Sequence, residues 1–326
     1  MRLGENPEKH LGSKNLIKNH RIIVVFYIPE SNSDYYKELD LILDKCLESL
    51  TKTINFDSTS ITLINNKSSP KINFIIDKYS QYIDKYVIYQ ENKGKVYALI
   101  NELRSVFETF VTITDADILF YSGWESAVFN VFLKIPNAGA VSPIPLPYHC
   151  FHFNQSVFGI NSIRNNIKFG KFVQDEDIDL YITGTNLPKL INRKTKYNWK
   201  QKQLILDVDG FKSVIGAYHV VTTFRKEQFR NVFTFPEMKF VNSYEDEFID
   251  YLSDVNGLYR LSTINTFAYH IGNKVDTVMK NNIYDPSLII DNKIFSSIKG
   301  FSKNPTFYIF LNRILGRFFI KFKWNK

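Results

Sequence analysis

A chain of 326 residues, 44% hydrophobic and 15% aromatic, carries enough apolar side chain to bury a large α/β core, with or without an appendage. Its two cysteines, Cys46 and Cys150, exclude a disulfide framework and fit a reducing compartment. The net charge of +8 suits anionic partners, but the Lys and Arg residues are scattered and bring no zinc-ligand spacing or aromatic-basic RNA motif, so nucleic acid is not expected.

Residues 1–20 read as a polar, basic lead-in without the apolar core of a secretory signal. No later run reaches the ~20 apolar residues of a membrane span. The expected location is cytoplasmic, soluble or peripheral to the membrane. Arg21 to Ile28 is a continuous apolar run, which predicts a strand buried on both faces, and the segment from Pro29 to Ser33 breaks it. From Tyr35 to Leu50, apolar residues at 39, 42, 43, 46, 47 and 50 follow the i, i+3, i+4 pattern of an amphipathic helix. Ser60 to Ile64 predicts a second strand, stopped by the polar stretch from Asn65 to Pro70. A helix over about 71–83 and a short strand at Tyr86–Tyr89 follow. Asn92-Lys93-Gly94-Lys95 then opens a helix running to about Glu108, and Phe110 to Phe120 reads as the next strand.

Strand alternating with helix in this way predicts a parallel sheet, whose ligands bind beyond the carboxyl ends of the strands. The breaks after Ile28, after Ile64 and at Asp115 should therefore gather at one edge. Asp115 and Asp117 stand there one residue apart, and two such carboxylates repel unless a cation joins them. A hard divalent metal carrying a diphosphate suits the place.

Beyond residue 121 the alternation loosens. Ala138 to Pro143 predicts a strand entering a Pro-rich turn, whereas 150–210 reads as polar, aromatic and irregular. Within it, Asp175-Glu176-Asp177 reads as a solvated loop, and Asp207 and Asp209 as a turn before Gly210. Gly216 to Phe224 is strand-like, with a helix start at Arg225. Ser243 to Leu252 predicts a helix with Glu245 and Asp246 in its first turn, where the helix dipole favours acids. Phe307 to Trp324 interleaves aromatic and aliphatic residues with Arg313, Arg317, Lys321, Lys323 and the terminal Lys326. Phe307, Phe310, Leu311, Ile314, Leu315, Phe318 and Phe319 fall near one helical face. Such a basic amphipathic helix can lie in an anionic membrane surface. Packing back on the domain, or an oligomer contact, would use the same face.

Several short motifs recur in a telling order: Tyr27-Ile28-Pro29-Glu30, Cys46 to Leu50, Ile61 to Ser69, Asn92 to Lys95, and Thr114-Asp115-Ala116-Asp117. Gly139 to Ser142, Tyr244-Glu245-Asp246 and Tyr269 to Asn273 complete the series. Each is weak alone, but the ordered set over about 20–275 resembles the family 2 glycosyltransferases of the GT-A type. The resemblance implies an α/β fold with a mostly parallel central sheet. It divides residues 21–280 into a Rossmann-like nucleotide-sugar half (21–120) and an acceptor half (121–280), with 281–326 as a C-terminal basic extension.

It also implies roles. Pro29 and Glu30 would line the nucleotide base and ribose. Asn66 stands where the family often has an acid that reads the base, a departure that leaves base selectivity open. Asn92 and Lys95 would border the nucleotide pocket, and Asp115 would approach the ribose or a metal-bound water. Asp117 would ligate the metal bridging the diphosphate, and His270 matches a histidine that some members use as a further ligand. Asp246 would be the catalytic base. The implied cofactors are a divalent metal, Mn2+ or Mg2+, and a nucleotide-sugar donor, UDP-linked on family grounds. The implied reaction is inverting transfer to a glycan or lipid-linked acceptor of a bacterial surface polysaccharide such as capsule or lipopolysaccharide. A nucleotidyltransferase of related α/β fold is one rival, although Ile28 to Asn32 lacks the Gly-rich basic loop it would want. A non-catalytic nucleotide- or carbohydrate-binding module is the other.

Overall fold

A computed structural model of the chain describes residues 4–10, 18–185, 198–232, 234–241, 244–278, 284–302 and 304–324. The expected helix start at Ser243 and the terminal Lys326 lie outside the described residues. The strands are β1 (His20–Phe26), β2 (Thr59–Asn65), β3 (Lys85–Ile88), β4 (Phe110–Asp115), β5 (Ile118–Phe120) and β6 (Ala138–Ser142), then β7 (Ile167–Gly170), β8 (Gln203–Val208), β9 (Phe211–Ile215), β10 (Val221–Arg225), β11 (Tyr259–Ser262) and β12 (Ala268–His270). The α-helices are α1 (Leu39–Thr53), α2 (Asn73–Tyr79), α3 (Lys95–Leu103), α4 (Trp124–Lys134), α5 (Gln155–Ile163), α6 (Asp175–Thr185), α7 (Tyr251–Val255), α8 (Lys293–Ser297) and α9 (Thr306–Trp324).

Ten strands form one sheet in the order β3-β2-β1-β4-β10-β6-β11-β9-β8-β7. Following the pairings across it, β1, β2, β3, β4, β6, β8 and β11 run one way and β7, β9 and β10 the other. The expected parallel arrangement is found in β3-β2-β1-β4. β2 is buried along its whole length, as a parallel strand covered on both faces must be. α1 covers one face through Leu43, Cys46, Leu47 and Leu50, the stripe its periodicity predicts, while Ile42 packs with Leu119 and Tyr269 of β5 and β12.

At the opposite end of these strands a buried polar network ties them to α4. His20 Nδ1 lies 2.9 Å from Glu125 Oε1 and its Nε2 2.7 Å from the Thr112 hydroxyl, while the Thr59 hydroxyl donates to Glu125 at 2.7 Å. The Asn55 N–H donates to the second Glu125 oxygen at 3.0 Å. Every buried partner in the set is satisfied, which is what makes a carboxylate in the core tolerable.

The structure departs from expectation in four places. The run from Phe110 to Phe120 is two strands: β4 ends at Asp115, and β5 leaves the main sheet to pair antiparallel with β12. Both pieces are buried, so hydropathy alone does not reveal the corner at Ala116-Asp117. The segment from 150 to 210 is not irregular but holds α5, β7, α6 and the start of a β8–β9 hairpin. Asp175, Glu176 and Asp177 form the first turn of α6 rather than a loop, because acids complement the positive end of a helix. Finally, the expected strand from Gly216 to Phe224 is interrupted. Gly216 has φ +140° and a Cβ there would lie 2.3 Å from the Leu146 carbonyl oxygen, so the chain bends against that loop and strand geometry resumes at Val221. The Asp209-Gly210 turn is as expected, both residues having positive φ in a two-residue hairpin.

The C-terminal helix α9 docks on α5 where glycines allow close contact. A Cβ on Gly316 would meet the Gln155 carbonyl oxygen at 1.9 Å, and one on Gly159 would meet Asn312 Oδ1 at 2.0 Å. Asn312 is buried in the seam, accepting from the Ile160 N–H at 2.6 Å and donating to the Ser156 carbonyl at 2.8 Å. Phe319 stacks on Phe158 and so faces the domain, not outward with the rest of the predicted stripe. Phe307, Phe310, Leu311, Leu315, Phe318 and Phe322 are exposed on the far side. No helix among the described residues is long and apolar enough to cross a membrane.

Candidate active site

The site begins at the corner where β4 ends. β12 pairs with β5 so that His270 sits opposite Ile118, and the Ile271 N–H donates to the Asp117 carbonyl at 2.8 Å. That register sets His270 Nε2 3.3 Å from Asp117 Oδ2. One donor atom each from Asp115, Asp117 and His270 lie within 4.8 Å of one another. Asp117 Oδ1 is buried and has no hydrogen-bond partner. A carboxylate oxygen stranded in this way beside an imidazole and a second carboxylate fits Mn2+ or Mg2+, whose ligands are hard oxygens with a tolerated nitrogen.

Lys95, the first residue of α3, reaches this corner. Its Nζ is 2.5 Å from Asp115 Oδ1 and 3.4 Å from Glu245 Oε1, so it joins the β4 carboxylate to the Glu245-Asp246 pair. The loop before it is shaped by two amides. Asn66 Oδ1 accepts from the Lys93 N–H and its Nδ2 donates to Asn92 Oδ1, which also accepts from the Gly94 N–H, all at 2.9 Å. Gly94, at φ +83°, then turns the chain into α3. Asn66 and Asn92 thus hold the segment that delivers Lys95.

Burial opposes the charge on Lys95, but Asp115 and Glu245 overcome it and hold its ammonium well above the usual lysine range. Burial pushes the Asp115 carboxyl up, with Lys95 pulling against it and Asp117 adding to the rise. For His270, burial disfavours the imidazolium, yet Asp117, by charge and hydrogen bond, and Asp115 behind it push its pKa up to about 9.

Asp246 opens a π-helical turn, Asp246–Asp250, that precedes α7. Its Oδ1 lies 2.8 Å from His152 Nε2. Asp250, fully buried at the end of the turn, is 2.9 Å from His219 Nδ1 and 3.1 Å from an Arg260 nitrogen. Burial raises its pKa, but Arg260 and His219 outweigh that and hold it far below the carboxylate range.

A cleft of about 680 Å³ runs beside Lys95 and Glu245, lined also by Lys93, Tyr97, Tyr218 and Tyr244. Pro29 and Glu30 do not line it. They border a separate cleft of about 450 Å³ with Ser69 and Lys71, and Glu30 is exposed and ion-paired to Lys71 at 2.9 Å. Tyr35 lines the first cleft and Tyr36 the second. The structure therefore gathers Lys95, Asp115, Asp117 and His270, links Asp246 to them through Glu245 and Lys95, and leaves Pro29 and Glu30 aside. Sequence reasoning missed His152, His219 and Asp250. The four-residue spacing of Asp246 and Asp250 is a signal for a shared helical face, whereas His152 lies 94 residues from its partner and has none.

The family model described as Glycosyl transferase family 2 matches residues 35–200, half of the chain. No curated protein sequence matches the chain. Among solved structures, the crystal structure of S. aureus TarS is 16% identical with a TM-score of 0.31, and the match covers 38% of this chain and 21% of that one. The chain thus spans about a fifth of the TarS chain. The mannosyltransferase PcManGT from Pyrobaculum calidifontis, solved in complex with GDP-Man and Mn2+, is 13% identical with a TM-score of 0.44, covering 93% of this chain and 72% of that one.

The raised pKa of His270 has a measurable consequence without metal. The folded chain keeps this proton up to about pH 9, the unfolded chain only to about 6.5, so the stabilisation is fully present below 6.5 and is lost as pH rises through 9. In EDTA, the stability gap between the wild type and His270→Gln should narrow steadily over that window in denaturation curves taken at stepped pH. A gap that does not change with pH would remove the assigned ion pair with Asp117.

Proposed function

The chain belongs to glycosyl transferase family 2, its sheet arranged in the GT-A manner, and from that premise we propose that it is an inverting, metal-dependent glycosyltransferase. It takes a sugar from a UDP-linked donor and passes it to a hydroxyl of a glycan or lipid-linked acceptor in bacterial surface polysaccharide synthesis. The observation that carries this reading is the cluster of Asp115, Asp117 and His270 around a stranded carboxylate oxygen, joined by Lys95 to Glu245, the chain neighbour of Asp246.

Asp117 and His270 would hold the metal, which when bound absorbs the negative charge that develops on the departing diphosphate. Asp115 would approach the ribose of the donor. Lys95 keeps Asp115 and Glu245 from repelling each other and places its ammonium next to the donor's path. Asp246 accepts the proton of the attacking hydroxyl. Attack from the face opposite the leaving group inverts the anomeric carbon. The nucleotidyltransferase rival needs a phosphate cradle after the first strand, and that place is taken by the Pro29-Glu30 loop with Glu30 tied to Lys71.

The outward face of α9 supports a peripheral place on an anionic membrane surface. Phe307, Phe310, Phe318 and Phe322 are 71%, 59%, 55% and 59% exposed, more contiguous aromatic surface than a monomer leaves in water without a use for it. Arg317 and Lys321 are exposed on the same helix, which suits acidic headgroups at the inner membrane face.

Two outcomes test these readings. Asp246→Asn should lower kcat for sugar transfer by about a thousandfold with UDP affinity retained, because only the transition state needs the base. Transfer at the wild-type rate would remove Asp246 from the mechanism, whereas the non-catalytic module predicts no metal-dependent transfer by either protein. In sedimentation with vesicles, binding should require phosphatidylglycerol and should weaken at least about tenfold in Phe318→Ser/Phe322→Ser. Equal binding of the variant would place the membrane contact elsewhere or nowhere.

A further inference from the structure

Asp246 is held by a side chain from a distant loop, and both partners are anchored to the same strand. The loop that presents His152 is over-determined. The His152 N–H donates to the His149 carbonyl at 3.0 Å. Phe153 takes φ +46°, a left-handed backbone that is strained for a bulky residue and persists only where its surroundings enforce it. The next residue supplies that enforcement. Asn154, fully buried, clamps the backbone of Arg260 in β11, its Oδ1 accepting from the Arg260 N–H at 3.0 Å and its Nδ2 donating to the Arg260 carbonyl at 3.1 Å.

Asp246 is fixed from the other direction by the same residue. The π-helical turn that it opens, a geometry enriched at functional sites, ends at Asp250. The buried Arg260 guanidinium engages the Asp250 carboxylate and also its carbonyl. The backbone of Arg260 thus holds the histidine loop and its side chain holds the carboxylate turn, and His152 and Asp246 meet at 2.8 Å between them. Strain, a rare helical turn and a shared anchor are all directed at one hydrogen bond.

A second metal is a poor occupant of this place. Donor atoms of His152, Asp246 and Asp250 do lie within 4.8 Å of one another. The charge of Asp250, however, is already matched by Arg260 and His219, and the fully buried guanidinium would repel a dication.

We propose that His152 is a positioning residue for the base. Its Nε2–H donates to Asp246 Oδ1 and fixes the carboxylate plane, leaving Oδ2 to receive the acceptor's proton. In the transfer step the acceptor oxygen forms its bond to the anomeric carbon, its proton moves to Asp246 Oδ2, and the anomeric carbon–oxygen bond to the diphosphate breaks with its electron pair leaving on the diphosphate. His152 changes no bond. This role rests on the assignment of Asp246 as the base.

The test uses the full chain with UDP-glucose, UDP-galactose and UDP-GlcNAc, reading metal-dependent release of UDP to water as the simplest acceptor. His152→Leu should lower kcat about 10- to 100-fold, the value of a hydrogen bond to a charged group, with the donor KM and melting temperature close to wild type. His152→Gln, which places an amide N–H near the Nε2 position, should restore most of that loss. Two results overturn the proposal: His152→Leu at the wild-type kcat, or a loss in which KM and melting temperature fall together and glutamine rescues nothing. Asp246→Asn is measured alongside. Wild-type turnover in that variant breaks the base assignment itself, whereas its loss with an unaffected His152→Leu breaks only the role of the histidine.

Discussion

Converging carboxylates are the constraint around which this half of the molecule is organised. Asp115, Asp117, Glu245, Asp246 and Asp250 come together from the end of β4 and from a single turn before α7, Asp250 fully buried and the others half-buried, where their repulsion is screened less than on an open surface. Each is met by a fixed partner: Lys95 lies between Asp115 and Glu245, His270 beside Asp117, His152 on Asp246, and Arg260 with His219 on Asp250. Asp117 Oδ1 and Asp250 Oδ1 are both buried without a hydrogen bond, but Asp250 Oδ1 has an Arg260 nitrogen 3.1 Å away. The proposed metal would complete that balance at Asp117, whose buried Oδ1 no hydrogen bond reaches.

The elements that deliver those partners explain why the fold looks as it does. The mini-sheet of β5 and β12 breaks the long strand at Asp115 and carries His270 to it. The Asn66–Asn92 clamp spends two amides on holding the loop ahead of α3, so that Lys95 can extend from a fixed helix start. β11 lies deep in the sheet and contributes Arg260 as the anchor of the second carboxylate group. The His20–Glu125 network keeps the far ends of β1, β2 and β4 in register with α4, so the carboxyl ends of the same strands stay aligned.

The parallel half of the fold was legible because β1, β2 and β4 are covered on both faces and read as largely apolar runs, while α1 shows its buried stripe directly. The antiparallel half was less so. β7 is a half-exposed edge strand, and β8 and β9 are joined by the polar Asp209-Gly210 turn, so this stretch lacks a long unbroken apolar run. Asp115, Asp117, His270, Lys95 and Asp246 could be singled out because strand ends and ordered motifs mark them. Glu30 carried the same kind of mark, yet Lys71 holds it at the surface of a separate cleft. His152 could not be found from sequence, since its partner is brought to it by two anchors on Arg260 that have no local pattern. The C-terminal helix shows why one apolar stripe does not settle a partner: its glycine seam docks on α5 while a second, aromatic face remains outward.

The central claim, that the carboxylate corner at the end of β4 is completed by a divalent cation, is tested most directly by Mn2+ titration followed by electron paramagnetic resonance. The account predicts a single Mn2+ per chain in the presence of UDP, with nitrogen coupling that disappears in His270→Gln and binding that collapses in Asp117→Asn. Undiminished Mn2+ binding in the Asp117→Asn/His270→Gln double variant would contradict it.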